Sequence, residues 1–475
     1  MMTQKMISKK TLACSLVGLA SLSLLAANSQ AAEFRLPAFE TTKLPNGLTV
    51  YLMERHDVPL IAVRAVVKAG AVSDADKAGL ANLTGDALLL GSSKFDKKTL
   101  DQTFDFRGGR IASSTSTEST SLNADFASAD VDVLLPIFAD AVLHPSFEAE
   151  EFGKLRSRTV DGLKQAKESP RNVVQTYYRS MLFGTGAYAN PVTGTVNSVT
   201  ALQVQDAKKF HASYYRPENA ALVIVGDFKP SAMRAQLASL FGAWKATAAV
   251  PATVANGKVE ADKARVWLVN KSDAVETTFL FGGKGIARND PDYVPLQVIN
   301  TILGGRFTSW LNDELRVNSG LTYGAGSSFS PLAETGSFAV SSFTATPKTE
   351  AALALAAKTY QRLWDKGIDA ATLESAKAYV KGQFPPRFET NQQLSGLLAD
   401  MFVAKVGREQ IDHFMRDVDG LNVEKAKQLV DKHFPRDKLQ MVLIGKAESI
   451  RGIAANYGEV TELDITGNGF APGAK

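Results

Sequence analysis

Apolar and polar positions alternate along LTVYLME at 48–54, and a second apolar run follows at 61–71. A period of two marks strands with one face buried. The same opening recurs midway through the chain, at 265–270 (RVWLVN) and 277–282 (TTFLFG). After each pair the period lengthens to that of a helix, at 77–90 and at 293–303, where Gly304-Gly305 supplies a stop. The endings match too. Tyr214-Tyr215-Arg216-Pro217 leads into the apolar stretch 221–226, and His433-Phe434-Pro435-Arg436 leads into 439–445.

Between these strand clusters lie longer helical patterns at 148–168, 198–213, 349–365 and 371–382, and Thr390 with Gln393 forms a capping box for a helix running through Met401. Strands at both ends of each half, with helices between, predict an α+β protein of two homologous domains. Each is expected to be a mixed or antiparallel sheet with helices on one face. The domains are placed at 37–245 and 265–470, joined by an exposed linker at 246–264 that is rich in Ala, Thr, Val and charge.

The first residues follow a different pattern. Lys5, Lys9 and Lys10 precede an apolar run at 11–27, and Ser29-Gln30-Ala31 supplies small residues for cleavage, so 1–31 reads as a signal peptide of an exported, periplasmic protein. The run is too short and wrongly flanked to span a membrane. The formal charge is +4, and loss of the three signal lysines brings it to +1, a balance that argues against nucleic acid as a partner. The only cysteine, Cys14, leaves with the signal, which excludes disulfides and thiol chemistry in the mature chain. The Gly-Gly pairs at 108–109, 282–283 and 304–305 form no phosphate loop, and no Gly-x-Ser-x-Gly elbow is present.

Candidate metal ligands are scarce. The five histidines (His56, His144, His211, His413 and His433) are nowhere within four residues of one another, so no helix offers two imidazoles on one face. His211, at a helix end, is expected to be structural. Asn82, Gly85 and Asp86 share the face of the helix predicted over 77–90, and an amide, a bare glycine and one short acid make a poor zinc site. Alone, Asp86 reads as a helix-surface acid.

A set of short motifs nevertheless runs in order through the chain. KLPNGLTV at 43–50, Gly79-Leu80-Ala81 with Gly91, Pro191 with Gly194-Thr195, Tyr214–Pro217 and Gly226-Asp227 lie in the first half. GGRFTSWL at 304–311, Glu314-Leu315-Arg316 and Gly320–Tyr323 lie in the second. In that order and spacing the chain resembles a subunit of the insulinase/pitrilysin-type zinc peptidases, the group that includes the mitochondrial processing peptidase. The resemblance implies two domains forming half of a clamshell. It also implies that the family's His-x-x-Glu-His motif falls on residues 82–86 and its third ligand on Gly162, so Asn82, Gly85, Asp86 and Gly162 are degenerate metal positions. No metal is then expected in this chain, and zinc is expected in a homologous partner subunit that carries the intact motif.

By the same resemblance Arg316 and Tyr323 are the pair that holds a substrate carbonyl opposite the partner's zinc. A fixed guanidinium and a phenolic donor suit a developing oxyanion. Without that context they read as a surface arginine and a core strand tyrosine. The polar stretch Arg110, Ile111, Ala112, Ser113 and Ser114 resembles the family's edge strand, onto which a peptide substrate is added by main-chain hydrogen bonds. It equally fits an ordinary polar edge strand. Two functions follow: the non-zinc subunit of a heterodimeric periplasmic metallopeptidase, or a catalytically inactive peptide-binding or scaffold protein of the same fold.

Overall fold

The computed structural model describes residues 35–248, 258–259 and 261–473. The expected signal peptide and most of the expected linker lie outside them.

Two six-stranded sheets organise the chain. The first contains β1 (Glu40–Lys43), β2 (Thr49–Glu54), β3 (Leu60–Val67), β4 (Arg110–Thr115), β5 (Thr120–Ala127) and β6 (Ala220–Gly226) in the order β1-β2-β6-β3-β5-β4. The second contains β7 (Arg265–Asn270), β8 (Glu276–Lys284), β9 (Ala325–Pro331), β10 (Gly336–Ala345), β11 (Gln440–Gly445) and β12 (Glu459–Asp464) in the order β12-β7-β11-β8-β10-β9. The inner five strands correspond one to one, with a single parallel pairing in each set, β2 with β6 and β7 with β11. Only the outermost strand differs: β1 precedes its half and pairs antiparallel, whereas β12 closes its half and pairs parallel. The strands predicted at 48–54, 265–270, 277–282, 221–226 and 439–445 all form, within a residue or two at their ends.

The helices that position the site are α1 (Leu80–Ala87), α2 (Lys97–Phe106), α3 (Val131–Leu143), α4 (Ala149–Ala166), α5 (Pro170–Phe183) and α6 (Val204–Tyr214) in the first half. In the second half they are α7 (Tyr293–Asn300), α8 (Thr349–Asp365), α9 (Ala370–Gln383), α10 (Asn391–Ala404) and α11 (Val423–His433). The helix predicted over 198–213 is two, because Gln203 and Asp206 build a capping box that restarts the chain after the short helix Val196–Ala201. The capping box of Thr390 with Gln393 is present at the start of α10.

Helices cover both faces of each sheet, not one. β6 shows why: all seven of its residues are buried. Leu222 and Ile224 pack with α2 and α3 of their own half, while Ala221, Val223 and Val225 pack with Leu394 and Leu398 of α10, from the other half. The exchange is reciprocal. Val173, Tyr177 and Met181 of α5 cover Trp267, Leu280, Val442 and Ile444 on the second sheet, and the Tyr178 hydroxyl donates to the Phe338 carbonyl at 2.8 Å. Each half therefore lends one helix to the other's sheet.

Candidate functional site

The helix on which a zinc motif would lie begins at Gly79, whose φ of 91° only glycine adopts freely. Asp74 pins this start by accepting the N–H groups of Gly79 and Ala81, both at 2.7 Å, and its burial outweighs those donors and raises its pKa to about 7. Gly85 faces the sheet. A β-carbon there would lie 2.7 Å from Thr120 Cγ2 and 3.1 Å from Thr115 Oγ1, so the space a glutamate side chain would need is filled by strands β4 and β5. Asp86 is part-buried rather than a surface acid. It accepts from Ser113 Oγ of β4 and from Asn82 Nδ2 at 3.3 Å, and burial raises its pKa. Asn82, Asp86 and Ser113 thus form a closed polar chain that ties α1 to β4.

Gly162 lies on the exposed side of α4, with no atom within 4 Å of where its β-carbon would be. The donor set consists of one amide, one carboxylate already satisfied by two donors, and two glycines, which does not fit a zinc ion. His211 offers no substitute. Its Nε2 lies 2.9 Å from the Val142 carbonyl, its ring stacks on Tyr215, and burial lowers its pKa to about 4. It is structural, as expected. Among the described residues one cluster, Asp290, Asp292 and His433, has ligand-like spacing, but Asp292 is already bonded to Lys432 at 2.6 Å and His433 at 2.8 Å.

β4 is an edge strand whose outer side has no protein partner among the described strands. Ile111, Ser113 and Thr115 turn toward α1, and Arg110, Ala112 and Ser114 are exposed on the other face. The β4–β5 turn is anchored across the molecule. The Glu118 carboxylate accepts the Ala333 N–H at 2.9 Å and the Tyr188 hydroxyl at 2.8 Å. Composition does not reveal this lock, because Glu118 lies 70 positions from Tyr188 and 215 from Ala333.

Arg316 and Tyr323 lie in the second half, in the passage into the edge strand β9. Arg316 belongs to a wide π-helical turn, Asp313–Asn318, a form often found at functional sites. The chain then folds back, with the N–H groups of Leu321 and Thr322 donating to the Leu315 carbonyl at 2.8 and 3.2 Å. Thr322 is buried and bonded to Ser342 and Gly324, which turns Tyr323 outward at 82% exposure. The Arg316 guanidinium sits 4.9 Å above the Phe307 ring, itself 63% exposed. Both side chains are presented to solvent, so Tyr323 is not a core strand residue. No hydrogen bond joins either to α1 among the described residues.

Two six-stranded sheets whose inner five strands share one order, each packed with helices, define a two-domain α+β fold. Residues 49–196 match the insulinase family, peptidase family M16, and residues 201–380 match the peptidase M16 inactive domain. The chain belongs to the M16 peptidase family. It is 21% identical to the uncharacterized zinc protease YmxG of Bacillus subtilis over 82% of this chain and 95% of that one. It is 24% identical to the uncharacterized zinc protease ML0855 of Mycobacterium leprae, over 83% and 89% respectively. Among solved structures it resembles a peptidase M16 inactive domain from Pseudomonas fluorescens, at 26% identity and a TM-score of 0.79, covering 86% of this chain and 98% of that one. A protease from Helicobacter pylori shares the fold, with a TM-score of 0.79 at 22% identity over 86% of this chain and all of the other.

Proposed function

We propose that this chain is the non-zinc subunit of a heterodimeric periplasmic metallopeptidase. A homologous partner would carry the zinc motif, and this chain would supply the β4 edge for the substrate peptide and Arg316 with Tyr323 for the reacting carbonyl. The observation that carries this reading is selective loss. All four metal positions lack a usable donor, while the arginine and tyrosine are held outward by a tied-back loop at the head of β9.

In this reading activation of the attacking water would be supplied by a zinc held in the partner, and by no residue of this chain. The residues of this chain bind and orient: main-chain groups of Arg110–Ser114 hold the extended peptide, and the Arg316 guanidinium and Tyr323 hydroxyl donate to the carbonyl oxygen as charge develops on it. A second reading, an inactive peptide-binding or scaffold protein, is favoured by the closed Asn82–Asp86–Ser113 chain, which stabilises α1 without any metal.

The test is a complex reconstituted with the zinc-bearing homologue. Tyr323→Phe and Arg316→Ala are expected to leave assembly and the partner's zinc intact while lowering turnover at least tenfold, since loss of one oxyanion donor costs roughly 10²–10³-fold elsewhere. The purified chain alone is expected to hold no stoichiometric zinc by elemental analysis. Unchanged turnover in the double variant would leave only the scaffold.

A further inference from the structure

The fold contains two clefts related by its internal repeat. Each lies between a lent helix and the sheet it covers, beside an edge strand. In the second half the cleft lies between α5 and strands β8, β10 and β9, with a volume of about 490 Å³. Its arginine, Arg171, is satisfied within the protein: it is 2.7 Å from Glu276 and its guanidinium lies over the Phe343 ring. In the first half the cleft lies between α10 and strands β3, β5 and β4, with a volume of about 370 Å³.

Its arginine, Arg64, is not satisfied. Arg64 interrupts the apolar run of β3, and its Nε is buried without a partner; among the described residues its guanidinium makes no ion pair. Both carboxylates lining the cleft are engaged elsewhere. Asp400 bonds Arg288 at 3.1 Å, and Glu118 bonds Tyr188 and the Ala333 N–H. Beside Arg64 in register on β5 stands Asn123, whose buried Oδ1 also lacks a partner and whose Nδ2 reaches Ser114 Oγ at 3.2 Å. Gly396 of α10 keeps the opposite wall open: a β-carbon there would lie 3.7 Å from Arg64 Nη2. A half-buried guanidinium whose Nε is shut off from water and which has no counter-charge is costly, and on the wall of a groove open to solvent that cost points to a ligand.

We propose that this cleft is a carboxylate-binding subsite, in which Arg64 receives an acidic group of the peptide laid along β4. This rests on the reading of β4 as the peptide-binding edge. A guanidinium pairs with a carboxylate through two parallel N–H bonds, and the nearby Glu118 and Asp400 disfavour a multiply charged anion such as phosphate. The face that carries Arg110, Ala112 and Ser114 is the one that opens onto the cleft, and a strand added beside β4 sends alternate side chains to that face. An acidic residue at one of these positions, or a free C-terminus ending there, would meet Arg64. Substrate preference would then be for acidic segments.

The experiment measures binding of fluorescein-labelled extended peptides to the full mature chain by anisotropy. One peptide is neutral with an amidated end, one carries a single central glutamate with the same end, and one is neutral with a free C-terminal carboxylate. At least one acidic form is expected to bind tenfold or more tightly than the neutral one, and which of them does so identifies the source of the carboxylate. Arg64→Met is expected to abolish the preference while leaving neutral-peptide binding and the melting temperature undiminished, because it removes an uncompensated charge. Gly396→Leu, which fills the cleft from the helix side, should do the same without altering charge. Equal binding of all three peptides, or a preference that survives Arg64→Met, overturns the subsite and leaves the peptide edge standing. Failure of every peptide to bind overturns both.

Discussion

Gly85 and Gly162 fall where the family resemblance expects acids, and their surroundings make them behave in opposite ways. At Gly85 the neighbouring Thr120 cannot yield, because its Oγ1 donates to the Ala69 carbonyl at 2.7 Å and lies 3.1 Å from Thr115 Oγ1. Gly85→Ala should therefore lower stability by about 1 kcal/mol or more, overpacking outweighing the helix-propensity gain. Thr120→Ser, which deletes the clashing methyl, should restore most of the loss. Gly162→Ala meets nothing and should raise stability by roughly 0.5–1 kcal/mol. Chemical denaturation of Gly85→Ala, of Gly85→Ala combined with Thr120→Ser, and of Gly162→Ala checks both signs. Identity alone made the two positions look equivalent; the packing of α1 on β4 and β5 separates them.

At the scale of elements, the lent helices matter most. α10 lies within the second half in sequence, yet its Leu394 and Leu398 are fully buried against β3 and β6 of the first. Leu398→Ala should cost about 2–5 kcal/mol, as for other fully enclosed leucines. Calorimetry should show the loss in a single unfolding transition for the whole chain, because the residue lies in a core that both halves share. Two separate transitions, only one of them shifted, would contradict that. The period of 3.6 and the Thr390–Gln393 capping box made α10 legible as a helix, but periodicity gives the width of an apolar stripe and not which sheet it meets.

The whole molecule is a repeat whose halves are interlocked. α5 and α10 cross between sheets, and Glu118 joins the turn after β4 to the turn after β9. Cleavage within residues 246–264 should therefore leave the two fragments associated. After nicking by a protease, the sample should elute in native size exclusion where the intact chain does and separate only in denaturant. Fragments that part without denaturant would mean the halves merely touch.

The sequence by itself determined the strands that open and close each half, most of the helices, the repeat and the side-chain atoms available at positions 82, 85, 86 and 162, since these depend on local period and on which atoms a side chain carries. The structure then showed Tyr323 facing solvent, Asp86 bonded to Ser113, and the room at Gly85 filled. A fully apolar strand such as β6 announces burial on both faces but not what covers each, and Arg64 within β3 announces a charge but not whether an acid comes to meet it. Only the tertiary structure decided those matters. Pairings between residues hundreds of positions apart are fixed by how the sheets stack and which helix reaches across, and no local pattern encodes that.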